Sequence, residues 1–278
     1  MNRLPLAGVI GWPIAHSRSP RLHRHWLARH GIDGDYVALG VEPRDLDQAL
    51  DALPALGFKG VNVTLPHKEA VLKRAARISD RAALIGAANT LTFREAGGFH
   101  ADNTDGFGFL ENLRQGAPAW RSASGPALVL GAGGAARAVV SALLAEGVPQ
   151  VLIANRTRTR ADALAETFGA RAATVDWHAA PEVLADAAVL VNSTSLGMTG
   201  QPALTFDLRR AARTCIVNDL VYAPLETDLL AQARARGLAA VDGLGMLLHQ
   251  GRPGFEAWFG PRPQVDDALR AAVLGASE

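Results

Sequence analysis

Cysteine is nearly absent from this sequence, whose 278 residues include only Cys215, in the apolar context TCIVNDL. A lone cysteine excludes an intramolecular disulfide framework, and it suits a reducing compartment. Cysteine in apolar surroundings behaves as a small hydrophobic side chain. We therefore interpret Cys215 as a core residue rather than a nucleophile.

Net charge is also nearly absent, because 28 basic residues stand against 27 acidic ones and the formal net charge is +1. This balance gives no general electrostatic attraction to nucleic acid or to a membrane surface, so neither is an expected partner. The eight histidines are scattered and show no metal-ligand spacing, so no metal site is expected. Any basic cluster in the sequence must therefore act locally.

A long uninterrupted hydrophobic run is lacking as well. The stretch ALVLGAGGAARAVVSALLA (127–145) has nearly the length of a membrane span, but Arg137 stands at its middle. An arginine at that depth costs roughly 2.5–3.5 kcal/mol on insertion scales. The N-terminal segment contains Pro5 and Pro13 and only a short apolar run, unlike a signal peptide. We expect a soluble, cytoplasmic protein.

The composition that is present, 49% hydrophobic and 20% charged, is ordinary for a globular protein with a sizeable core. Short apolar runs alternate with segments of helical period, which predicts an α/β fold with a mostly parallel sheet. Ser19 is predicted to cap the first helix. In the first part of the chain, strands are predicted at 6–11, 35–41 and 60–65, helices at 19–31, 44–56 and 67–77, and a hairpin at 89–101.

A second α/β series begins near residue 106. Two final helices are predicted at 244–250 and 253–260, and periodicity only weakly supports packing them back on the first domain. The second series itself is predicted to have helices at 105–115, 134–146 and 158–168, with strands at 127–132, 150–156, 171–175, 188–192 and 214–219.

The stretch GAGGAA (131–136) lies between a predicted strand and a predicted helix. In such a turn Gly131 permits the tight bend, Gly133 lets the backbone approach a pyrophosphate, and Ala136 takes the third small position. The helix start offers free N–H groups and a positive dipole end to phosphates. The turn therefore predicts a bound dinucleotide, the alternative being a glycine-rich turn without a ligand.

The next strand runs into Asn155, where NAD-binding proteins of this pattern commonly carry an acid that bonds the ribose 2′-hydroxyl. Asn155 and Thr157 can donate hydrogen bonds, and Arg156 can meet a phosphate with its planar fork. Arg160 can lie near the same group. This pattern favours the 2′-phosphate of NADP, whereas the alternative is a solvated helix start, the interpretation we adopt for Arg158.

Polar clusters in the first part of the chain lie at predicted strand ends or helix starts. They combine hydroxyls, amides, one ammonium and carboxylates, which suit a small polyhydroxylated acid. Each residue also has a structural explanation, as a helix cap, a turn residue or an exposed side chain. The clusters are HSRSP, NVTLPHK, AANT and DNTDG, which contain Ser17, Ser19, Asn62, Thr64, Lys68, Asn89, Asp102, Asn103, Thr104 and Asp105.

At these residues the sequence resembles the shikimate dehydrogenase family. GWPIAHSRSPRLH, GVNVTLPHK, GAANTL and DNTDG resemble the first four family motifs, and VLGAGGAARA and NRTRTRA resemble the NADP-binding turn and the Asn-Arg-Thr motif. NSTSLGM, DLVYAPLET and GLGMLLHQ complete a set that covers nearly the whole chain. One departure is Arg24, where many members carry asparagine, at a helix position away from the serines.

The resemblance implies two α/β domains with an active-site cleft between them. A substrate-binding domain would comprise residues 1–105, completed by helices within 242–278. A Rossmann-type NADP-binding domain would comprise residues 106–241. The oligomeric state stays open, a homodimer included.

The resemblance also implies the reversible reduction of 3-dehydroshikimate by NADPH to shikimate, a step toward chorismate and the aromatic amino acids. Lys68 and Asp105 would be the catalytic pair, and whether Lys68 alone or the pair transfers the proton stays open. One rival is a quinate/shikimate dehydrogenase of broader substrate or cofactor range. Another is an NADPH-binding sensor without catalysis, against which the intact Lys68 and Asp105 argue.

The other site residues follow from the same motifs. For the substrate, Ser17 and Ser19 would bind the carboxylate with Tyr222 nearby, and the ring hydroxyls would be bound or oriented by Thr64, Asn89 and Gln250. For NADP, the expected residues are Gly131, Ala132, Gly133, Gly134, Ala135, Asn155, Arg156, Thr157 and Arg160, with Gly243 and Met246 near the nicotinamide.

Overall fold

Two β-sheets are present in the computed structural model, which describes residues 4–275. Each sheet belongs to one of two compact units of the chain. Among the described residues, the first unit combines residues 4–104 with residues 248–275, and the second unit is Asp105–Leu247. The first unit is therefore built from both ends of the sequence.

The sheet of the first unit has the strand order β2-β1-β3-β5-β6-β4 within the described residues. β1 pairs in parallel with β2 and β3, β5 and β6 form an antiparallel hairpin, and β4 pairs in parallel with β6. The elements are β1 (Leu6–Gly11), α1 (Ser19–Arg29), β2 (Asp35–Gly40), α2 (Leu46–Ala55), β3 (Phe58–Val63), β4 (Arg77–Ile78), α3 (Asp80–Ile85), β5 (Thr90–Phe93) and β6 (Phe99–Asp102).

Two predictions for this unit are wrong. The segment predicted as helix 67–77 is a turn followed by a 3-10 helix at Ala70–Arg74 and then β4. Its backbone is held by distant partners, because Ala88 N–H donates to the Lys68 carbonyl and Ala76 N–H donates to the Phe99 carbonyl. These tertiary bonds override the helical period of the local sequence.

The predicted cap of α1 is also wrong. Arg18 occupies the N-cap position but its side chain does not cap the helix, and Ser19 is the first helical residue. The preceding serine takes part instead, because Ser17 Oγ accepts a hydrogen bond of 3.3 Å from the Ser19 N–H. The structure also shows why Arg24 is tolerated in α1, since its exposed guanidinium pairs with Asp35 at 2.8 Å.

The sheet of the second unit is parallel throughout, in the order β12-β11-β10-β7-β8-β9 across the described residues. This is the strand order of a doubly wound dinucleotide-binding fold. The predicted strands and helices of this unit are confirmed, whereas α7 and β12 were not predicted. The elements are α4 (Asp105–Gly116), β7 (Ala127–Leu130), α5 (Gly134–Ala145), β8 (Val151–Ala154), α6 (Arg158–Phe168), β9 (Ala172–Val175), β10 (Val189–Asn192), β11 (Ile216–Asp219), α7 (Asp228–Ala235) and β12 (Ala239–Val241).

Strand β7 lies in the middle of this parallel sheet, between β10 and β8. Its side chains are buried on both faces, with Ala127 and Val129 in one apolar cluster and Leu128 and Leu130 in the other. A strand covered on both faces is a continuous apolar run, as parallel sheets require. Cys215 lies in the second cluster, fully buried, and burial raises the pKa of its thiol to about 11. The prediction of a core cysteine is confirmed.

The two helices predicted near the C-terminus are one helix, α8 (Leu244–Phe259), which contains Pro253. The helix continues although proline removes one backbone donor. The helix packs closely at its glycines, because a β-carbon at Gly251 would lie 2.9 Å from Leu22 and one at Gly254 would lie 2.8 Å from Trp258. α8 leads from the second unit into the first, and α9 (Asp267–Leu274) follows it.

No helix in the described part of the chain has both the length and the hydropathy needed to cross a membrane. Likewise, residues 4–275 contain no group of three or more His, Cys, Asp or Glu side chains arranged to hold a metal ion.

Candidate active site

The glycine turn follows β7 directly. Gly131 has a φ of +111°, a conformation that a residue with a side chain rarely adopts, and its N–H donates to the Ala154 carbonyl at the end of β8. The loop after β10 lies against the turn, because both the N–H and the hydroxyl of Ser193 donate to the Leu130 carbonyl, at 2.9 and 2.6 Å. The turn is therefore fixed at the point where the strand order of the sheet reverses.

The start of α5 offers an open cradle for phosphate. A β-carbon built on Gly133 or Gly134 meets nothing within 4 Å, and both glycines are exposed together with Ala135. Gly133 is the N-cap of α5 and has no side chain that could bond the first N–H groups of the helix. The first turn of α5 contains no acidic residue. The first N–H groups of a helix lack intrahelical partners and favour an anion. The residues present therefore fit a pyrophosphate, with half-buried Ala132 joining Gly131 to the cradle.

The arginines after β8 differ in their partners. Arg158 forms ion pairs of 3.1 Å with both Asp162 and Asp176, so its charge is already balanced. This agrees with the interpretation of Arg158 as part of a solvated helix start. Arg156 and Arg160 are exposed, and no acidic side chain among residues 4–275 forms an ion pair with either. They are the two cations that could receive a 2′-phosphate.

Asn155 lies between the end of β8 and these arginines. Its side-chain Nδ2 donates to the Thr157 carbonyl at 2.9 Å, which closes the short loop before α6. Thr157 is the N-cap of α6 and makes no side-chain cap hydrogen bond, so its hydroxyl is not used to close the helix. No carboxylate stands at this position to repel a phosphate.

Asp219 ends β11, is fully buried, and joins the loops that follow β10 and β11. Its carboxylate accepts hydrogen bonds from Asn192 Nδ2 at 2.9 Å, from the Thr227 hydroxyl at 2.7 Å and from the Val221 N–H at 3.0 Å. Burial raises the pKa of the Asp219 carboxyl, and these hydrogen bonds oppose the shift. The loop that carries half-buried Tyr222 is thereby fixed to the loop that contacts the glycine turn.

Gly243 directly precedes α8, and Met246 lies in its first turn, both in the second unit. A β-carbon on Gly243 would lie 2.2 Å from the Leu220 carbonyl oxygen, so the backbone passes close to the end of β11. The Asp242 carboxylate accepts the Leu244 N–H at 3.0 Å and so satisfies one donor at the helix start. Met246 is partly buried against the apolar cluster beneath α4 and α5.

In the first unit, the turn after β3 holds Thr64 and Lys68, both half-buried. Thr64 N–H donates to the Ile10 carbonyl at 2.9 Å, and the buried His67 ring hydrogen-bonds the Val41 carbonyl at 2.7 Å through Nε2. The Lys68 carbonyl accepts from the Ala88 N–H at 2.8 Å. The backbone that carries the Lys68 ammonium is therefore fixed on both sides.

Asn89 is buried between β5 and α8 and is the centre of an amide cluster. Its Oδ1 accepts from the Thr104 N–H at 2.9 Å and from the Thr90 hydroxyl at 2.9 Å, and its Nδ2 donates to Gln250 Oε1 at 3.0 Å. The Thr104 hydroxyl donates to the Gln250 carbonyl at 2.8 Å. These bonds bring together Asn89 and Gln250, which are 161 residues apart in the sequence.

The remaining predicted residues lie in three places. Ser17 and buried Ser19 stand at the start of α1 in the first unit. Asp105 is the first residue of α4 and is half-buried in the second unit, directly after Thr104 of the first unit. Asp102, another carboxylate of the polar clusters, pairs with Arg81 and accepts a 2.6 Å hydrogen bond from the Ser79 hydroxyl.

Sequence reasoning missed Tyr36 and Asp219. Tyr36 stands in an apolar strand, where a buried phenol requires a hydrogen-bond partner. Asp219 ends a strand of otherwise mostly apolar residues, and a buried carboxylate requires donors. Both positions carried a detectable signal, but Asn62, the partner of Tyr36, and Asn192, one partner of Asp219, are 26 and 27 residues away in the sequence.

Comparisons with known proteins match both units. The family model described as the shikimate dehydrogenase substrate binding domain matches residues 9–91, and that described as shikimate / quinate 5-dehydrogenase matches residues 118–199. The shikimate dehydrogenase (NADP(+)) of Rhodospirillum rubrum is 63% identical over 274 residues, which cover 97% of this chain and 97% of that protein.

Solved structures agree along the whole chain. Shikimate 5-dehydrogenase from Thermus thermophilus, in complex with NADP(H) and shikimate, has a TM-score of 0.85 and 40% identity, covering 97% of this chain and 98% of its own. Quinate dehydrogenase from Corynebacterium glutamicum, in complex with NAD, has a TM-score of 0.90 and 34% identity, covering 98% of this chain and 99% of its own.

The strand order of the second unit and its glycine turn define a protein of the Rossmann dinucleotide-binding class. Identity above 60% over almost the full length selects the group within that class. The chain belongs to the shikimate dehydrogenase family.

Proposed function

We propose that the protein catalyses the reversible reduction of 3-dehydroshikimate by NADPH to shikimate, a step toward chorismate and the aromatic amino acids. One observation carries the proposal: in a chain of this family the glycine cradle is open, and Arg156 and Arg160 beside it form no ion pair with a described acidic residue. Lys68 and Asp105 are both present in the sequence. The first unit is the substrate-binding part, and the second unit is the NADP-binding part.

The second unit holds the cofactor by its backbone and its cations. The N–H groups at the start of α5 bind the pyrophosphate at Gly133, Gly134 and Ala135, where no side chain fills the space. Arg156 and Arg160 bind the 2′-phosphate, and Asn155 and Thr157 orient the adenosine. When bound, NADPH supplies the hydride that the reduction needs.

Binding near the nicotinamide and the carboxylate uses the loops joined by Asp219. Gly243 and Met246 lie at the start of α8, and Gly243 has no room for a side chain beside the Leu220 carbonyl. Tyr222 contacts the substrate carboxylate from the loop after β11.

The first unit binds the substrate through neutral polar groups. Ser17 and Ser19 donate hydrogen bonds to the carboxylate, and burial of Ser19 strengthens its bond to an anion. Thr64, Asn89 and Gln250 bind the ring hydroxyls. A site made of hydroxyls and amides recognises a polyhydroxylated ring by geometry rather than by charge alone.

Lys68 moves the proton. In the reduction, its Nζ gives a proton to the carbonyl oxygen, which becomes the hydroxyl of shikimate, and Lys68 then regains a proton from solvent. The Asp105 carboxylate orients the Lys68 ammonium and the substrate hydroxyl. In the reverse direction, Nζ accepts the hydroxyl proton.

The protein acts in the cytoplasm, as its single cysteine and balanced charge favour. It works without nucleic acid, and a homodimer is the assembly to test by light scattering of the purified protein. A scattering mass near twice 29.2 kDa would support the dimer, and a mass near 29.2 kDa would exclude it.

The decisive experiment measures initial rates with shikimate and with quinate, each with NADP and with NAD, by the absorbance of the reduced nicotinamide. We expect fast turnover only with shikimate and NADP. Comparable rates with quinate or NAD would contradict the proposed specificity. Binding of NADPH without turnover of any pair would contradict catalysis itself.

A further inference from the structure

The phenol of Tyr36 heads a row of buried hydrogen bonds that ends at Gln250. Tyr36 stands in β2, and its hydroxyl donates to Asn62 Oδ1 on β3 at 2.7 Å. β1 separates these strands, and its Ala7 pairs with both Tyr36 and Gly60. The small side chains on this face let the phenol cross β1 and reach Asn62.

The row continues with a fixed order of donors and acceptors. Because Asn62 Oδ1 accepts from Tyr36, Asn62 Nδ2 is the donor, to the Asn89 carbonyl at 3.1 Å and to the Thr90 hydroxyl oxygen at 3.2 Å. The Thr90 hydroxyl then donates to Asn89 Oδ1 at 2.9 Å. Asn89 Nδ2 in turn donates to Gln250 Oε1 at 3.0 Å.

This order determines which end of the Gln250 amide meets a ligand. Its oxygen is used by Asn89, so half-buried Gln250 presents Nε2 and its two N–H donors. A ligand oxygen at that place is therefore bound as an acceptor. Two backbone groups fix the direction of the row: the Asn89 carbonyl, which can only accept from Asn62 Nδ2, and the Thr104 N–H, which donates to Asn89 Oδ1 at 2.9 Å. The Tyr36 hydroxyl completes the row, because it satisfies the buried Asn62 Oδ1.

The surroundings of Tyr36 hold the phenol in this role. Its ring is fully buried and stacks on His23 with ring centroids 3.9 Å apart and an interplanar angle of 2°. Burial lowers the pKa of His23 to about 3, so the imidazole is neutral and the stack carries no charge. Burial also raises the pKa of the Tyr36 phenol well above its ordinary range, opposed by a hydrogen bond with Ser19. The phenol therefore keeps its proton and stays a donor.

We propose that Tyr36 is a positioning residue for the substrate: by bonding Asn62 it supports the contacts of Asn62 with Asn89 and Thr90, and so holds the Gln250 amide where its N–H donors meet a ring oxygen. The inference rests on the proposed function, because it assigns the ring oxygen to shikimate. Without the Tyr36 hydroxyl, buried Asn62 Oδ1 loses this donor, which favours a shift of the Asn62 amide. A shift of Asn62 weakens its hydrogen bonds to the Asn89 carbonyl and the Thr90 hydroxyl, so Asn89 and the Gln250 amide bonded to it are held less firmly.

The test is a double-mutant cycle with Tyr36→Phe and Gln250→Ala, read as kcat/KM for shikimate at saturating NADP. Tyr36→Phe keeps the stacked ring and removes only the hydroxyl. We expect it to lower kcat/KM about tenfold, mainly through KM, while KM for NADP stays the same. In the Gln250→Ala background, the same substitution should cost less than about twofold, because the effect passes through Gln250. An equal loss in both backgrounds, or no loss in either, would overturn the proposal.

Trp26→Phe is the matched control. It removes another buried hydrogen bond from the same aromatic cluster, that of Trp26 Nε1 to the Gln264 carbonyl at 2.9 Å, without touching the amide row. Trp26→Phe should change kcat/KM for shikimate by the same factor in the wild-type and Gln250→Ala backgrounds. If Tyr36→Phe does not fold, Thr90→Val replaces it, because it breaks the row one step later. It should lower kcat/KM about tenfold in the wild-type background and less than about twofold in the Gln250→Ala background.

Failure of the proposed function is distinguishable from failure of this inference. If the wild-type protein does not turn over shikimate, the function is wrong. The side-chain amide resonances of Gln250 then decide the positioning role by NMR. A shift of these resonances in Tyr36→Phe but not in Trp26→Phe supports the row, and unchanged resonances overturn it.

Discussion

The Ser193 hydroxyl oxygen lies 2.7 Å from the point where a β-carbon on Gly131 would stand. The position is also strained for any side chain, because φ is +111°. Gly131→Ala should therefore destabilise the protein by about 1–3 kcal/mol and weaken NADPH binding as the turn shifts. Urea unfolding and NADPH titration of the variant measure the two effects.

Gly133→Ala is the matched variant. Its φ of −92° suits alanine and its β-carbon would meet nothing within 4 Å. We expect stability within about 0.5 kcal/mol of wild type but NADPH affinity at least about tenfold lower, because the methyl group occupies the phosphate cradle. Full NADPH affinity in this variant would show that the pyrophosphate does not lie there.

Removal of the two unpaired arginines should reduce the preference for NADP over NAD. Arg156→Ala is expected to lower kcat/KM for NADP by about tenfold or more and to leave kcat/KM for NAD nearly unchanged, because a charged hydrogen bond to the 2′-phosphate is lost. Arg160→Ala should act in the same direction. Arg158→Ala is the control, since its guanidinium already pairs with Asp162 and Asp176. An equal loss in Arg156→Ala and Arg158→Ala would contradict the assignment.

Loss of the Lys68 ammonium should affect the chemical step rather than binding. Lys68→Met is expected to lower kcat by a factor of about 10² or more, with a much smaller change in KM for shikimate. Lys73→Met, at an exposed position in the following 3-10 helix, should retain wild-type kcat. Near-wild-type kcat in Lys68→Met would remove Lys68 from the mechanism.

Asp105→Asn separates the two models of proton transfer. If Lys68 alone moves the proton and Asp105 orients it, kcat should fall less than in Lys68→Met. If the pair shares the proton, the two losses should be equal and the double variant no worse than either. The comparison of three kcat values decides between the models.

Buried His23 should make the protein less stable in mild acid. Its pKa is lowered by burial from 6.5 to about 3, so below pH 6.5 the unfolded chain binds a proton that the folded chain does not. The stabilisation is therefore complete above pH 6.5 and is lost as pH falls toward 3. Between pH 7 and pH 5 the free energy of unfolding should drop by about 2 kcal/mol from this group.

His23→Phe, which keeps a ring beside Tyr36, should remove most of that drop. His178→Gln, at an exposed position, should keep it. Urea unfolding of the three proteins at the two pH values is the measurement. An equal drop in His23→Phe and in wild type would assign the acid sensitivity to other groups.

The second unit could be predicted from the sequence almost element by element, whereas parts of the first unit could not. The strand predicted at 188–192 is Val189–Asn192 in the structure, because a strand covered on both faces is a continuous apolar run. The helix predicted at 67–77 is absent since Ala88 and Phe99 bond that backbone instead. Sequence periodicity contains no information about such distant partners.

The candidate site, too, could be predicted from the sequence only in part. The glycine turn and the arginines are local patterns, so the sequence indicates both their position and their chemistry. The function of Tyr36 depends on Asn62, 26 residues away, and through it on Gln250. The cap predicted for Ser19 was wrong for a local reason, because the chain enters α1 one residue earlier, at Arg18.

The hydrogen bond of 2.8 Å from Ala88 N–H to the Lys68 carbonyl joins the main chain of Lys68, the proposed proton donor, to the segment that begins the Asn89 cluster. The main chain around Lys68 and the main chain around Asn89 are thus parts of one frame, and the Asn89 carbonyl is itself bonded to Val63 N–H at 2.8 Å. Under the proposed function, exchange of a side chain near the ring hydroxyls should leave the main chain of Lys68 in place. Such a frame separates substrate recognition, which depends on side chains, from the position of the proton donor, which depends on the main chain.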